Sequence, residues 1–76
     1  MINKTQRIMG LYFVNRNPHT NGKNEVHEAS CRNLPGKASL INLGDFKDCM
    51  HAMKEAKKYF LNVDGCLLCC RQCHKK

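Results

Sequence analysis

Apolar and polar positions along the chain predict short strands in its first half and one helix in its second half. The apolar run over residues 8–14 is partly β-favouring, which predicts a buried strand. Residues 15–25 are rich in Asn, Gly, Pro and charge, which is typical of a loop, and Asn21-Gly22 is a strong turn signal. Two further short strands are predicted over residues 26–31 and 40–43.

Residues 45–60 carry the clearest periodicity, because apolar side chains recur there every three or four positions. This spacing predicts an amphipathic helix. Asp45 is the predicted N-cap, since its carboxylate can accept from the free N–H groups of the first turn. Asp64-Gly65 predicts a turn, and the last eleven residues hold four Cys and one His. The predicted fold is therefore α+β, with short antiparallel strands, one helix over about 45–60 and a Cys-rich C-terminal turn.

The chain has 76 residues, which predicts a single small domain over 1–76, with the polar start over 1–7 disordered. A domain of this size buries little apolar surface, and its core alone rarely supplies more than about 3–5 kcal/mol. The aromatic core is also thin, with three Phe, two Tyr and no Trp. Six Cys are many at this length, so we expect cross-links to replace the missing core.

The redox compartment decides whether these Cys form disulfides or bind a metal. The apolar run over 8–14 is short, is interrupted by Gly10 and has no small-residue cleavage site after it, so no export signal is predicted. No stretch approaches the roughly 20 apolar residues of a membrane span. We therefore expect a cytoplasmic monomer with no membrane partner, whose reduced thiols bind zinc. The alternative is an exported domain in which the six Cys form three disulfides.

Two short pairs of Cys and His have the spacing of zinc ligands. Structural zinc takes four N or S ligands, commonly from chelating pairs on separate turns. One pair here has three residues between its members and the other has two. The predicted zinc ligands are His27, Cys31, Cys66 and Cys69, with Cys73 and His74 as alternates. Because the predicted helix lies between the two pairs, the metal would tie the loop before the helix to the tail after it.

The remaining Cys and His have simpler interpretations. Cys49 lies on the apolar face of the predicted helix, where free Cys is commonly a small buried hydrophobe. Whether Cys49 pairs with Cys73 is left open. Cys70 is predicted not to bind the metal, and His19 and His51 are predicted to be solvated. The Cys70 segment also matches the C-x-x-C-H pattern of c-type haem attachment, but that chemistry requires export and a large apolar shell.

The chain resembles a group of small uncharacterised bacterial proteins over roughly residues 10–75. The resemblance rests on three stretches: Val26-His27-x3-Cys31-x2-Leu34-Pro35, Leu43-Gly44-x-Phe46-x2-Cys49-x2-Ala52-x3-Ala56-Lys57-Lys58 and Asp64-Gly65-Cys66-x2-Cys69-Cys70-x2-Cys73-His74. It implies membership of that group, and it implies no particular activity.

The ligand pattern alone is similar to the N-terminal zinc domain of the Ada-type DNA alkylation-repair proteins. That family pairs a C-x3-C with a later C-x2-C around one zinc, with strands and a helix between. His27 stands here at the first Cys position, and the other three positions are matched by Cys31, Cys66 and Cys69. Because the first Cys is the family's methyl acceptor, the resemblance implies a zinc-binding architecture without methyl transfer.

The net charge of +7 favours an anionic partner without specifying which one. We expect a zinc-binding module that binds nucleic acid through its basic surface, with stacking from one of the aromatic residues Tyr12, Phe13, Tyr59 or Phe60. The alternative is a structural or interaction domain that docks an acidic protein, and a further alternative is a thiol redox or metal-handling protein. No enzyme is expected and no catalytic residues are predicted, since there is no Ser/His/Asp set, no paired catalytic carboxylates and no phosphate loop.

Overall fold

The computed structural model describes residues 9–75, which form a four-stranded mixed sheet with one helix packed against it. The strands and the helix are β1 (Gly10–Asn15), β2 (Asn24–Glu28), β3 (Leu40–Phe46), α1 (Cys49–Ala56) and β4 (Val63–Gly65). The strands stand side by side in the order β3-β1-β2-β4. The predicted α+β fold is confirmed, whereas the predicted disorder of residues 1–7 lies outside the described residues.

β1 is one of the two inner strands of the sheet, and it pairs antiparallel with both β2 and β3. Its side chains alternate between the two faces, as expected for a strand. Tyr12 and Val14 are buried on one face, and Val26 of β2 lies opposite Val14 and is fully buried. The predicted turn at Asn21-Gly22 closes the β1–β2 connection, where the N–H of Gly22 donates to the carbonyl of His19 at 2.8 Å.

The edge strand β3 contains a bulge that bends it around the core. Tyr12 of β1 lies opposite Gly44, and Phe13 lies opposite Asn42, so that Leu43 is the extra residue. Leu43 is buried, and Gly44 has a φ of 106°, a conformation that favours glycine over any residue with a Cβ. A bent edge is a poor template for pairing with another strand.

The sheet differs from the prediction at β4, which pairs parallel with β2. The expectations of an all-antiparallel sheet and of a turn at Asp64-Gly65 are therefore wrong. The Asp64 carboxylate is fully buried, and its Oδ1 accepts from the N–H groups of Gly65 at 2.9 Å and Lys75 at 2.8 Å. A Cβ at Gly65 would lie 2.6 Å from the Cβ of Cys73, so this strand needs glycine for close packing. Two residues typical of turns thus serve tertiary contacts here.

α1 is shorter than the predicted helix at both ends. Asp48, not Asp45, is the N-cap, and its Oδ1 accepts from the backbone N–H of His51 at 3.1 Å. The prediction of Asp45 was wrong because Asp45 pairs with Leu11 in the sheet, so strand pairing overrides the helical periodicity there. Residues 57–59 form a turn, and the carbonyl of Ala56 accepts from the N–H groups of Tyr59 at 2.9 Å and Phe60 at 3.1 Å.

The core lies between α1 and the inner face of the sheet. It is built from small side chains, with Ala52 and Ala56 of α1 fully buried against the strands. Two of the predicted stacking residues belong to this core, since Tyr12 is buried and Phe60 packs against the cluster. Within residues 9–75, no helix is both long and apolar enough to cross a membrane.

Candidate metal centre

The parallel pairing of β2 and β4 brings two Cys/His segments to one end of the sheet. The two strands run in the same direction, and Val26 of β2 lies opposite Gly65, the last residue of β4. The C-terminal ends of both strands therefore lie side by side. His27 follows Val26 in β2, and Cys31 lies in the turn just beyond that strand. Cys66 and Cys69 lie in the turn after β4. In an antiparallel pair, the C-terminal ends of the two strands would lie at opposite ends of the sheet.

The four predicted ligand side chains form one compact cluster. Their ligand atoms all lie within 4.8 Å of one another, so this group could hold a metal ion. The Sγ atoms of Cys31 and Cys66 are 3.9 Å apart, and the Sγ of Cys69 is 3.9 Å from Nδ1 of His27. A tetrahedral centre with metal–sulfur bonds of about 2.3 Å requires sulfur–sulfur edges of about 3.8 Å. The distance between the sulfurs of Cys31 and Cys66 matches that requirement.

Backbone N–H groups donate to each of the three sulfurs. The N–H of Asn33 lies 3.4 Å from the Sγ of Cys31, and the N–H of Leu68 lies 3.4 Å from the Sγ of Cys66. Both are contacts from a residue two positions later, within a tight turn. The third sulfur, Cys69 Sγ, accepts from the N–H of Glu28 at 3.3 Å. Such donors stabilise a thiolate over a neutral thiol, and the thiolate is the form that binds a metal.

His27 is held in the form and orientation of a metal ligand. The ring is buried, and its Nε2 lies 3.6 Å from Oε1 of Glu25, while Nδ1 faces Cys69. Burial lowers the pKa of His27, and the Glu25 carboxylate opposes that shift without cancelling it. A neutral ring with its proton on Nε2 leaves Nδ1 free to bind a cation.

The electrostatics of the cluster favour the presence of a cation. Burial raises the pKa of the Cys69 thiol well above its usual range. The hydrogen bond from the N–H of Glu28 lowers this pKa in part, and the neighbouring Cys31, Cys70 and Cys66 raise it further. Several buried thiolates repel one another, so they cannot all ionise together without compensation. A divalent cation supplies that compensation and keeps its ligands deprotonated.

The two alternate ligands are engaged elsewhere. Cys73 forms a disulfide with Cys49, and the Cα atoms of the two residues are 6.5 Å apart. Nδ1 of His74 lies 3.0 Å from the carbonyl oxygen of Gly65 and 3.3 Å from Oδ2 of Asp64. Neither residue belongs to the four-residue cluster.

The disulfide corrects the prediction that Cys49 is a free buried thiol. Cys49 is indeed buried on the inner face of α1, but that face also contacts the C-terminal turn that carries Cys73. Helical periodicity identifies an inward-facing residue without identifying its neighbour from another segment. The alternative of three disulfides also fails, since four Cys are free.

The remaining Cys and His lie outside the cluster. Cys70 is buried, with its Sγ 3.9 Å from that of Cys69, and burial raises its pKa to about 11. His19 and His51 are exposed, as predicted. Glu25 was not among the predicted residues of the site, although its position two residues before His27 in a strand places both side chains on one face.

One side of the cluster opens onto a cleft of about 560 Å³. The sulfur-bearing residues that line it are Cys31 and Cys69, together with the polar side chains of Glu28, Ser30 and Arg32. A small chelator can therefore approach two of the four ligands directly.

Comparisons with protein-family models, with curated proteins and with solved structures found no match for this chain. The assignment of the cluster therefore depends on its own geometry and donor chemistry.

Proposed function

We propose that this protein is a small zinc-binding module in which one zinc ion fastens the fold. The observation that carries the proposal is the convergence of His27, Cys31, Cys66 and Cys69, with ligand atoms at the spacing of a tetrahedral site. Three thiolates and one imidazole form a donor set that suits zinc, whereas hard cations such as Mg²⁺ and Ca²⁺ prefer oxygen ligands.

The role of this zinc is structural. Four protein ligands complete a tetrahedral shell, and a catalytic zinc needs an open position for water or substrate. The ion joins residues that lie 35 positions apart in the chain, at Cys31 and Cys66. The ion therefore closes a long loop of the chain, whose ends are stabilised by little apolar burial. The resemblance to the Ada-type zinc domain supports the same role, because His27 replaces the residue that transfers methyl groups there.

The partner of this module is an anionic macromolecule, in keeping with the net charge of +7. Nucleic acid was the first expectation, yet Tyr12 and Phe60 are engaged in the core and cannot stack on bases. Tyr59 is the aromatic residue of that set that is clearly exposed, at 50%. The loss of the stacking platform favours an acidic protein over nucleic acid.

Elemental analysis of protein purified without added zinc tests the proposal. We expect one zinc per chain and, by intact mass, one disulfide with four reduced thiols. Replacement of zinc by Co²⁺ should produce the intense visible bands of a tetrahedral thiolate site, together with sulfur-to-cobalt charge-transfer absorption.

Matched variants distinguish ligands from neighbours. Cys66→Ser should lose the metal, whereas Cys70→Ala, adjacent in sequence to a ligand and equally buried, should keep it. Purified protein that is folded and metal-free, or a Cys66→Ser variant that retains one zinc with unchanged cobalt spectra, would refute the assignment.

A further inference from the structure

A second surface feature lies where α1 meets the C-terminal turn. It is a groove of about 300 Å³ between α1 and the C-terminal turn, and we call it the α1 groove. Its floor is formed by Met50 and Met53, and its rim carries three lysines, Lys54, Lys57 and Lys75.

The floor of the α1 groove is apolar and adaptable. Met50 is 60% exposed, which is a large apolar exposure for a small domain, and Met53 is half-buried beside it. Methionine side chains are flexible and polarisable, so they can cover apolar groups of differing shape. Cys73, which lines the groove, is joined to Cys49 of α1, and Nε2 of Gln72, another lining residue, donates to the Sγ of Cys49 at 3.5 Å. The two walls are therefore fastened to each other.

The rim of the groove is positively charged and uncompensated. Among the residues described by the structure, no acidic side chain lines the groove. Glu55, the acidic residue of α1, forms an ion pair with Lys58, with Nζ and Oε1 3.1 Å apart, and neither residue lines the groove. An apolar floor with a lysine rim is complementary to a ligand that has an apolar stripe flanked by carboxylates.

We propose that the α1 groove binds an acidic amphipathic segment of a partner protein. One or two aliphatic side chains of that segment cover Met50 and Met53, and its carboxylates pair with Lys54, Lys57 and Lys75. A nucleic acid would satisfy the lysines but would leave the methionine floor uncovered. The inference rests on the proposed function in one respect, because the zinc holds the tail that forms one wall.

Selection of random dodecapeptides displayed on phage against the intact, zinc-loaded protein tests the proposal. At physiological ionic strength, we expect enriched peptides in which Asp and Glu flank aliphatic residues at helical spacing. The selected peptide, labelled and titrated by fluorescence anisotropy, should shift amide signals in α1 and near Gln72 in a ¹⁵N correlation spectrum.

Two sets of charge variants make the test specific. The triple variant K54E/K57E/K75E should raise the Kd of the selected peptide by about ten-fold or more. The control variant R16E/K23E/K37E has the same net charge but alters basic residues that do not line the groove, so it should leave Kd within about two-fold. Met50→Asn, at an exposed position, should also weaken binding while circular dichroism remains unchanged.

Several results would overturn the inference. These are a selection with no acidic consensus, equal weakening by both triple variants, or signal shifts confined to another surface. A short duplex or single-stranded DNA that shifts the groove signals at physiological ionic strength, when no peptide does, would assign the groove to nucleic acid instead. Zinc content is measured on every sample. One zinc per chain without peptide binding refutes the groove alone, whereas peptide binding by zinc-free protein refutes the proposed function alone.

Discussion

The sheet region, residues 10–56, and the C-terminal region, residues 61–75, are held together by different forces. The sheet region buries apolar side chains in the usual way, including Val14, Val26 and Leu43. The C-terminal region does the reverse, because its leucines face solvent while an aspartate and three of its four cysteines are buried. The exposed leucines are Leu61 at 91%, Leu67 at 57% and Leu68 at 56%.

The contrast teaches how a small chain can order a segment that has almost no apolar core. In the C-terminal region, three of the buried side chains form specific polar or covalent contacts in addition to their packing. Cys66 belongs to the His/Cys cluster that could hold a metal ion, Cys73 forms the disulfide, and Asp64 accepts two backbone hydrogen bonds. Such bonds are few and strong, so their removal should have larger and more local effects than the loss of one apolar contact.

Chelation of the metal should have the largest effect. Structural zinc contributes about 10–16 kcal/mol of apparent binding free energy in small domains, which equals or exceeds the whole stability of a typical domain. A strong chelator should therefore collapse the dispersed amide signals of residues 61–75 first, followed by those of the sheet region. The measurement is a ¹⁵N correlation spectrum recorded during chelation, with zinc added back as the control. Spectra that stay the same throughout would show that apolar burial alone maintains the fold.

Removal of the disulfide should have the next largest effect. Cys49 and Cys73 are 24 residues apart, and closing a loop of that length stabilises a fold by about 3 kcal/mol. The double variant Cys49→Ala/Cys73→Ala should lose about that much free energy of unfolding in urea, measured with zinc in excess, and should keep its metal. Each single variant should lose a similar amount, because either one breaks the bond. An additive pair of single variants would contradict a shared bond.

Truncation in the sheet region should have a smaller effect and should leave the metal in place. Val14→Ala removes two methyl groups from a fully buried position, which should cost about 2 kcal/mol in free energy of unfolding. The variant should still bind one metal ion, because Val14 is not one of the four residues of the His/Cys cluster. Leu61→Ala, at an exposed position of the C-terminal region, is the matched control and should change stability by less than about 0.5 kcal/mol. Loss of the metal from Val14→Ala would show that the two regions are not separable.

The helix cap should have the smallest effect, together with a defined pH dependence. The hydrogen bonds from the His51 side chain and backbone lower the pKa of Asp48 below its ordinary 3.8. Because the folded pKa is lower than the unfolded one, the stabilisation is fully present above about pH 4 and is lost as the pH falls through the lowered pKa. Asp48→Ala should lower Tm by a few degrees at pH 5, where the Asp48 carboxylate is ionised and caps the helix. A ¹³C titration of the Asp48 carboxyl with a midpoint at or above 3.8 would contradict this assignment.

Local patterns were sufficient for the features that depend on neighbouring residues. Helical periodicity located α1, although Asp45 belongs to a paired strand and the N-cap is Asp48. The Asn21-Gly22 turn followed from its dipeptide. Features that depend on distant contacts could not be predicted in this way, and the parallel strand β4 is the clearest case. Its Asp and Gly have the local character of a turn, and only burial against the tail makes them a strand.

The sequence by itself determined which side chains can act together, because two short chelating pairs are defined by spacing along the chain. His27, Cys31, Cys66 and Cys69 were identified on that basis, and the fold brings all four together. Only the tertiary structure decided how they meet, through the parallel alignment of β2 with β4, and which residues surround them. It also decided that Cys49 joins Cys73 and that Glu25 lies beside His27. These outcomes depend on distances between remote segments, which only the packing of the whole chain sets.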